Sequence, residues 1–214
     1  MQEKKSQSRI LQYDKTFSST YSSWLIPTFC LRDYLIVWEL SFGGIFLYNL
    51  LCPRLILNSL YDLKPNELKE LGIKGIIFDL DNTIIPWDSQ HMSTEMMEWL
   101  HRLIAEGFQL CLVSNNMGNR VKTIAEIFGI PFVSRAYKPA KSGFRQAVVS
   151  MKLPPNQVAV VGDQLFTDIL GGNRLGLFTI WVTPLSAKEF IGTKITRQLE
   201  KITVRILKAK GLMK

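Results

Sequence analysis

The hydrophobic residues beyond position 66 fall into short continuous runs that alternate with longer segments of helical periodicity. Short apolar runs bounded by turn residues are typical of strands that are buried on both faces. The predicted strands span residues 75–79, 109–114, 131–134, 158–162 and 178–182, and the predicted helices span 93–106, 118–128, 142–151 and 166–175. This alternation predicts an α/β fold in which about five mainly parallel strands carry helices on both faces.

An apolar run at residues 34–52 precedes this region and is nearly long enough to cross a bilayer. Glu39, Asn49 and the pair Gly43-Gly44 oppose insertion, and basic residues on both sides of the run leave its orientation undefined. We therefore favour an N-terminal apolar segment that lies in one leaflet. A buried core helix and a true membrane span are the alternatives.

The C-terminal residues 187–214 hold eight Lys or Arg and two Glu, so they contribute +6 to the net charge of +8. An apolar stripe at helical spacing is formed by Ile191, Ile195, Leu199, Ile202 and Ile206, and it is flanked by Lys194, Arg197, Lys201, Arg205 and Lys208. The pattern predicts a basic amphipathic helix that lies on anionic lipid. The alternative is a surface helix docked on the sheet with a solvated basic face.

These patterns divide the chain into three parts. Residues 1–65 form a polar tail and an apolar, membrane-associating segment, residues 66–186 form the α/β core, and residues 187–214 form the basic helix. Three Cys are too few and too scattered for a disulfide framework or a cysteine zinc site.

Chemically active side chains follow four of the predicted strands. Asp79-Leu80-Asp81-Asn82-Thr83 follows the first, Ser114-Asn115-Asn116 the second, Lys138-Pro139 the third, and Asp163 and Asp168 the fourth. Because ligands bind at the carboxyl ends of the strands in such sheets, we expect these groups to share one site. Neighbouring carboxylates repel each other unless a cation lies beside them, and their oxygen atoms suit Mg²⁺. The hydroxyl, amide and ammonium groups can donate to anionic oxygens.

The order of these four segments resembles the four motifs of the haloacid-dehalogenase (HAD) phosphatases, over residues 68–184. Residues 161–168 and 171–176, together with 60–63 and 71–75, are similar to the YqeG-type HAD-IIIA group, which includes the mitochondrial phosphatidylglycerophosphate phosphatases. The resemblance implies a Rossmann-like HAD fold and a phosphatase activity.

The resemblance also implies a role for each motif residue. Asp79 would be the nucleophile that forms an aspartyl-phosphate, and Asp81 would be the general acid and base. Mg²⁺ would be held by the carboxylates of Asp79 and Asp163 and the backbone carbonyl of Asp81, with Asp168 in support. The phosphoryl oxygens would be bound by Thr83, Ser114, Asn115 and Lys138.

The spacing of the motifs leaves no room for the cap domain that many HAD phosphatases carry. Only one helix and one strand fit between Thr83 and Ser114, and the same holds between Asn116 and Lys138. By the resemblance, capless relatives commonly act on macromolecules or on lipid head groups. The apolar and basic extensions then favour an anionic phospholipid substrate at a membrane surface. The expected reaction is Mg²⁺-dependent dephosphorylation of phosphatidylglycerophosphate, at a cytoplasmic face or on an organelle membrane.

Two other classes of function are alternatives. The same chemistry would serve a phosphoprotein, nucleic-acid ends or a small phosphate ester, and a membrane-bound scaffold would keep the fold without turnover. No nucleic-acid partner is expected, because aromatic residues are not interleaved with the basic tail. A scaffold would be expected to lack at least one of the four carboxylates, and all four are present.

Overall fold

The structure, a computed structural model, describes residues 48–89, 91–117, 119–186 and 191–213 of the 214-residue chain. Its strands are β1 (Leu55–Leu57), β2 (Gly75–Phe78), β3 (Gln109–Val113), β4 (Phe132–Val133), β5 (Val158–Gly162) and β6 (Phe178–Val182). Its helices are α1 (Pro65–Glu70), α2 (Thr94–Ala105), α3 (Asn119–Phe128), α4 (Lys141–Ser150), α5 (Leu170–Leu175) and α6 (Ile191–Ala209). A π-helical turn, Leu165–Ile169, leads into α5. The predicted α/β class is confirmed.

The strands form one parallel sheet in the order β1-β6-β5-β2-β3-β4. The chain runs outward from β2 through β3 to β4, and it returns beside β2 with β5 before continuing to β6. The direction of winding therefore reverses between β2 and β5, and a crevice opens at that point beyond the carboxyl ends of the strands. All residues of β2 and β5 are buried. Both strands therefore appear in the sequence as continuous apolar runs.

Alternate residues of each strand pack into separate hydrophobic layers on the two faces of the sheet. Ile76 and Phe78 of β2 pack on one side with α2 and α3, while Ile77 packs on the other side with Phe144 of α4. This alternation follows from the pleat of a strand. Helices therefore cover both faces, as predicted.

The segments between the motifs contain no inserted domain. Between Thr83 and Ser114 the described residues form only α2 and β3, and between Asn116 and Lys138 they form only α3 and β4. Ser93 caps α2 by accepting a hydrogen bond from the Met96 N–H at 3.2 Å. In the described residues between the motifs, the prediction that no cap domain is inserted is therefore confirmed.

The strand β1 was not predicted, and it brings the sheet to six strands. It lies in the segment 1–65, which the sequence pattern placed before the core, but Leu55 and Leu57 pair with β6 and are buried. Only three residues long and preceded by a long apolar segment, β1 has no periodicity of its own. It is recognisable only through its pairing with β6.

Most of the predicted N-terminal apolar run, residues 34–47, lies outside the described residues. Its last residues are described, and Tyr48, Leu51 and Cys52 pack in a cluster with Leu207 of α6 and Met213. Within the described ranges, no helix combines the length and the apolarity needed to cross a bilayer. The C-terminal end of the apolar run is therefore held against α6.

Candidate active site

The predicted motif residues meet at the carboxyl edge of the sheet, beside the crevice between β2 and β5. A cavity of ≈ 300 Å³ opens there, and Asp79, Asp81, Ser114, Asn115 and Lys138 are among the residues that line it. They follow three different strands, β2, β3 and β4, so the parallel topology brings distant parts of the sequence together. The structure therefore brings these five residues together at one cavity.

Three carboxylates converge at the base of this site. Asp79, Asp163 and Asp168 are buried, and each offers one oxygen so that the three atoms lie within 4.8 Å of one another. Burial raises the pKa of Asp79 to about 7, and the charge of Lys138 opposes this rise. Burial, followed by the charge of Asp79, also raises the pKa of Asp163. A set of close oxygen ligands with excess negative charge fits a hard divalent cation such as Mg²⁺.

The loop after β5 brings Asp168 back to Asp163 through the π-helical turn. The Gln164 N–H donates to Asp168 Oδ2 at 3.2 Å, and this contact fixes the carboxylate over the end of β5. A Cβ atom at Gly162 would lie 2.3 Å from the carboxyl carbon of Asp168. Glycine is therefore required at 162 for the two acidic residues to approach, and π-helical turns are often found at functional sites.

Lys138 supplies a buried positive charge to this carboxylate cluster. Its ammonium donates to Asp79 Oδ1, to Asp168 Oδ1 at 2.7 Å and to the Val113 carbonyl at 3.1 Å. Burial lowers the pKa of Lys138, but the charges of Asp168 and Asp79 outweigh burial and hold the pKa above its usual range. The ammonium is therefore charged and uses its three protons on protein acceptors.

Asn115 fixes the turn that carries Lys138. Its side-chain amide donates to the Lys138 carbonyl at 3.2 Å and accepts from the Lys138 N–H at 2.7 Å. The amide is thus engaged with the backbone, although the residue also lines the cavity. The predicted contact between Asn115 and a phosphoryl oxygen stays a prediction, and so does the one for Lys138.

Asp81 belongs to a second, separate group of charges. Its carboxylate accepts from Arg120 Nη1 at 2.6 Å and from Asn116 Nδ2 at 2.7 Å, and Ser114 Oγ lies 3.5 Å away. Arg120 also donates to the Pro86 carbonyl at 2.9 Å. The Asp81 carboxylate is therefore held by donors that do not bond the three-carboxylate cluster. A metal contact from this residue would come through its backbone carbonyl, as the resemblance implies.

Thr83 connects two members of the carboxylate cluster. Its hydroxyl lies 3.3 Å from Asp79 Oδ2 and 3.3 Å from Asp163 Oδ1. One proton can serve only one of these acceptors at a time. The predicted role of Thr83 in phosphate binding remains a prediction.

Arg197 of α6 reaches the site, and this differs from the sequence-based expectation. The pattern placed Arg197 on the basic flank of the amphipathic helix, but its guanidinium donates to the carboxylate and the carbonyl of Asp163. It also donates to Glu200 Oε2 at 2.9 Å, and Glu200 Oε1 accepts from the Leu165 N–H at 2.5 Å. Burial raises the pKa of Glu200, while the charge of Arg197 opposes the rise. The C-terminal helix is thus attached to the loop that carries the acidic residues.

The sequence analysis therefore named the four motif aspartates. It did not name Glu200 or the basic partners Arg120 and Arg197 as residues of the site. Arg120 stands four residues after Asn116, in the first turn of α3. This closeness in sequence to the motif was only a weak indication that Arg120 reaches the site. Nothing in the sequence distinguishes Arg197 from the other basic residues of the C-terminal helix, so its contact with the site was not predictable.

The buried position of Lys138 predicts a large effect on stability. We expect Lys138→Met to lower the free energy of unfolding by about 3–5 kcal/mol, because two buried carboxylates lose their shared cation. Denaturant unfolding in a chelating buffer measures this change. Lys64→Met is the matched control, since Lys64 bonds Glu67 at 2.8 Å with 55% of its side chain exposed. The control should change stability by less than about 1 kcal/mol, and an equal loss in both variants would contradict the prediction.

Comparison with known proteins identifies the family. The family described as "Mitochondrial PGP phosphatase", where PGP stands for phosphatidylglycerophosphate, matches residues 45–185. "Probable phosphatase YqeG" of Bacillus subtilis is 40% identical over 159 residues, covering 74% of this chain and 92% of the relative. The chloroplastic phosphatidylglycerophosphate phosphatase 1 of Chlamydomonas reinhardtii is 30% identical over 173 residues, covering 76% of this chain and 64% of that protein.

A third relative extends the comparison to fungi. The mitochondrial phosphatidylglycerophosphatase of Saccharomyces cerevisiae is 31% identical over 153 residues, covering 64% of this chain and 80% of that protein. The matched family region holds all the described motif residues, from Asp79 to Asp168. The chain therefore belongs to the mitochondrial phosphatidylglycerophosphate phosphatase family, and it is a phosphatase whose motifs resemble those of the HAD phosphatases.

Proposed function

We propose that this chain is a Mg²⁺-dependent phosphomonoester hydrolase that converts phosphatidylglycerophosphate to phosphatidylglycerol and inorganic phosphate. The observation that carries the proposal is the convergence of Asp79, Asp163 and Asp168 at an open cavity, with Asp81 held separately beside them. The family and its named relatives favour the lipid as substrate.

Asp79 is the nucleophile in this proposal. One of its carboxylate oxygens attacks the phosphorus atom in line with the bond to the lipid oxygen, and an aspartyl-phosphate forms as that bond breaks. Asp81 gives its proton to the departing alkoxide. When bound, Mg²⁺ neutralises charge on the phosphoryl group. The side chains of Asp79 and Asp163 and the carbonyl of Asp81 would hold the ion, supported by Asp168.

Asp81 then serves as the base for the second step. It takes a proton from a water molecule that attacks the aspartyl-phosphate, and inorganic phosphate leaves as Asp79 is restored. Arg120 and Asn116 hold the Asp81 carboxylate at 2.6 and 2.7 Å, so it is oriented without belonging to the carboxylate cluster. This separation supports a proton-transfer role for Asp81.

The phosphoryl oxygens meet donors from the other strand ends. Thr83, Ser114, Asn115 and Lys138 are the proposed contacts, and all four are set at the carboxyl edge of the sheet. Fixed donors of this kind stabilise negative charge as it develops in the transition state. The positive charge of the Lys138 ammonium adds to this stabilisation.

The openness of the site suits a large substrate. Since the described residues place no cap domain over the cavity, a head group that projects from a bilayer can enter while the acyl chains stay in the lipid. We therefore assign the activity to a membrane surface, with an anionic phospholipid as the partner. The chloroplast and mitochondrial relatives support an organelle membrane as one such location.

The nucleophile gives the direct test of this proposal. Asp79→Asn should reduce phosphate release from phosphatidylglycerophosphate in detergent by ~10³-fold or more, because the amide cannot form the aspartyl-phosphate. A chelator should abolish release by the unmodified chain, and added Mg²⁺ should restore it. Circular dichroism must show that the variant is folded. Efficient turnover of soluble sugar phosphates with none of the lipid would contradict the substrate assignment.

The two-step chemistry predicts a trapped intermediate. With p-nitrophenyl phosphate, whose leaving group needs no protonation, Asp81→Asn should slow hydrolysis of the aspartyl-phosphate more than its formation, because the water loses its base. Labelled phosphate from the substrate should then remain on the protein and be released by hydroxylamine, which cleaves acyl phosphates. Asp79→Asn in the same background is the control and should carry no label. A label that persists in this double variant would contradict Asp79 as the nucleophile.

A further inference from the structure

The described residues of the apolar stripe of α6 face solvent rather than the core. Ile195, Leu199, Ile202 and Ile206, here called the outer face, are exposed by 66%, 53%, 52% and 37%. A different side of the helix packs inward, through the buried Leu207 and Glu200. The stripe therefore does not hold α6 in place, and this observation disfavours the alternative of a helix docked through its apolar residues.

Positive charge lies next to the outer face. Lys201, Arg205 and Lys208 are exposed, while the one acidic residue in the sequence of α6, Glu200, is buried and bonded to the Leu165 N–H. An exposed apolar stripe with a basic border is the composition of helices that lie in a membrane interface. A second protein copy or another apolar segment would give no reason for this border.

The outer face begins at the mouth of the active site. Thr193 of α6 lines the cavity, and Ile195 follows two residues later. Three other exposed apolar residues, Trp87, Met117 and Tyr137, stand in loops after β2, β3 and β4, at 40%, 75% and 73% exposure. The same edge of the molecule thus carries both the cavity and much of the exposed apolar surface.

We propose that the outer face of α6, with Lys201, Arg205 and Lys208, docks on an anionic lipid bilayer and holds the cavity against it. The proposal deepens the proposed function, since it names the surface through which a lipid phosphatase meets its substrate. Apolar side chains enter the boundary of the acyl chains, and the basic side chains meet anionic head groups. Because Arg197 ties α6 to Asp163, docking also orients the carboxylate cluster.

Vesicle binding tests the docking surface without turnover. The full chain is sedimented with vesicles of three parts phosphatidylcholine to one part phosphatidylglycerol, and with vesicles of phosphatidylcholine alone. Leu199→Ser with Ile202→Ser, and separately Lys201→Glu with Arg205→Glu, should each weaken binding to the anionic vesicles at least about tenfold. The unmodified chain should prefer the anionic vesicles, and high salt should reduce that preference.

Matched controls lie at the opposite edge of the sheet. Ile127 and Val149 are 54% and 67% exposed near the ends of α3 and α4, and Lys74 and Lys152 are exposed just before β2 and before β5. Ile127→Ser with Val149→Ser, and Lys74→Glu with Lys152→Glu, should leave binding within about twofold of the unmodified chain. Equal losses in the outer-face and control variants would overturn the proposal.

Other occupants of the outer face give different results. If residues 1–47 of the chain cover it, Leu199→Ser with Ile202→Ser will lower the unfolding midpoint and leave vesicle binding unchanged. If a second copy covers it, the same variant will shift sedimentation velocity from dimer to monomer. Either result overturns the proposal. The proposed function is tested separately with short-chain phosphatidylglycerophosphate dissolved as monomers, which needs no docking, so the two failures are distinguishable.

The contacts of Arg197 support a second, independent inference. Its guanidinium and the Thr83 hydroxyl lie at different oxygens of the Asp163 carboxylate. Arg197 bonds Asp163 Oδ2, while Oδ1 lies 3.3 Å from the Thr83 hydroxyl that also neighbours Asp79. Oδ1 is therefore the oxygen turned toward the other acidic side chains. We infer that Arg197 is a positioning residue that fixes Asp163 for the divalent cation expected at this cluster.

Direct measurement of ion binding tests this role. Mn²⁺ binding, followed by the electron paramagnetic resonance of the free ion, should weaken by roughly 10–100-fold in Arg197→Ala, in line with losses of partners that orient metal ligands. Arg197→Lys should recover part of the affinity, since lysine keeps the positive charge but lacks the planar guanidinium that can donate two hydrogen bonds side by side. Arg145→Ala, which removes an exposed guanidinium from α4, is the control and should match the unmodified chain.

A change in Mn²⁺ affinity in the opposite direction would reverse the interpretation. Tighter Mn²⁺ binding in Arg197→Ala would mean that the guanidinium competes with the ion for Asp163, and an unchanged affinity would mean that Asp163 needs no orientation. Both results overturn the inference. Should Arg197→Ala fail to fold, the comparison of Arg197→Lys with the unmodified chain decides it, because a positioning role still requires weaker binding in that variant.

Discussion

The concentration of negative charge at the end of β5 and β2 is the constraint on which this structure depends. Asp79, Asp163, Asp168 and Glu200 lie within one buried region, and Lys138 and Arg197 are the cations that bond them. Four ionised carboxylates and two cations leave a formal charge of −2. Burial makes that charge costly, and the raised pKa values of Asp79 and Asp163 express the cost. A divalent cation would cancel it, so the site's electrostatics favour ion binding before any substrate arrives.

This charge balance links parts of the chain that are far apart. Lys138 comes from the turn after β4, and the reciprocal hydrogen bonds of Asn115 hold that turn in place. Arg197 comes from α6 and is bonded at once to Asp163 and Glu200. The parallel topology gives each of these groups a short path to the crevice, because every strand ends at the same edge. The fold thus places the acidic residues at the crevice, and the positive charges of Lys138 and Arg197 allow their carboxylates to lie close to one another.

Local sequence patterns predicted those residues of the site that directly follow a buried strand. Asp79 and Asp163 each follow an apolar run that is buried on both faces, so both the strand and its chemically active end were recognisable. The ion pairs of Arg120 and Arg197 depend on which helix packs where, and that is decided by tertiary contacts. Likewise, β1 is three residues long and acquires its identity by pairing with β6. The predicted division of the chain at residue 65 therefore separated a strand from the sheet to which it belongs.

The C-terminal helix shows why amphipathicity alone does not identify a packing face. The periodic stripe of α6 would suit either a protein core or a lipid surface, since both remove apolar side chains from water. The structure shows that the described part of the stripe is not the face that packs inward, because a different side of the helix, with Glu200, Arg197 and Leu207, makes the inward contacts. Those contacts are polar at one end, where α6 meets the acidic loop, and apolar at the other, where Leu207 meets Leu51. A helix held by polar contacts at the site retains its apolar stripe for a surface outside the molecule, and its basic border favours an anionic one.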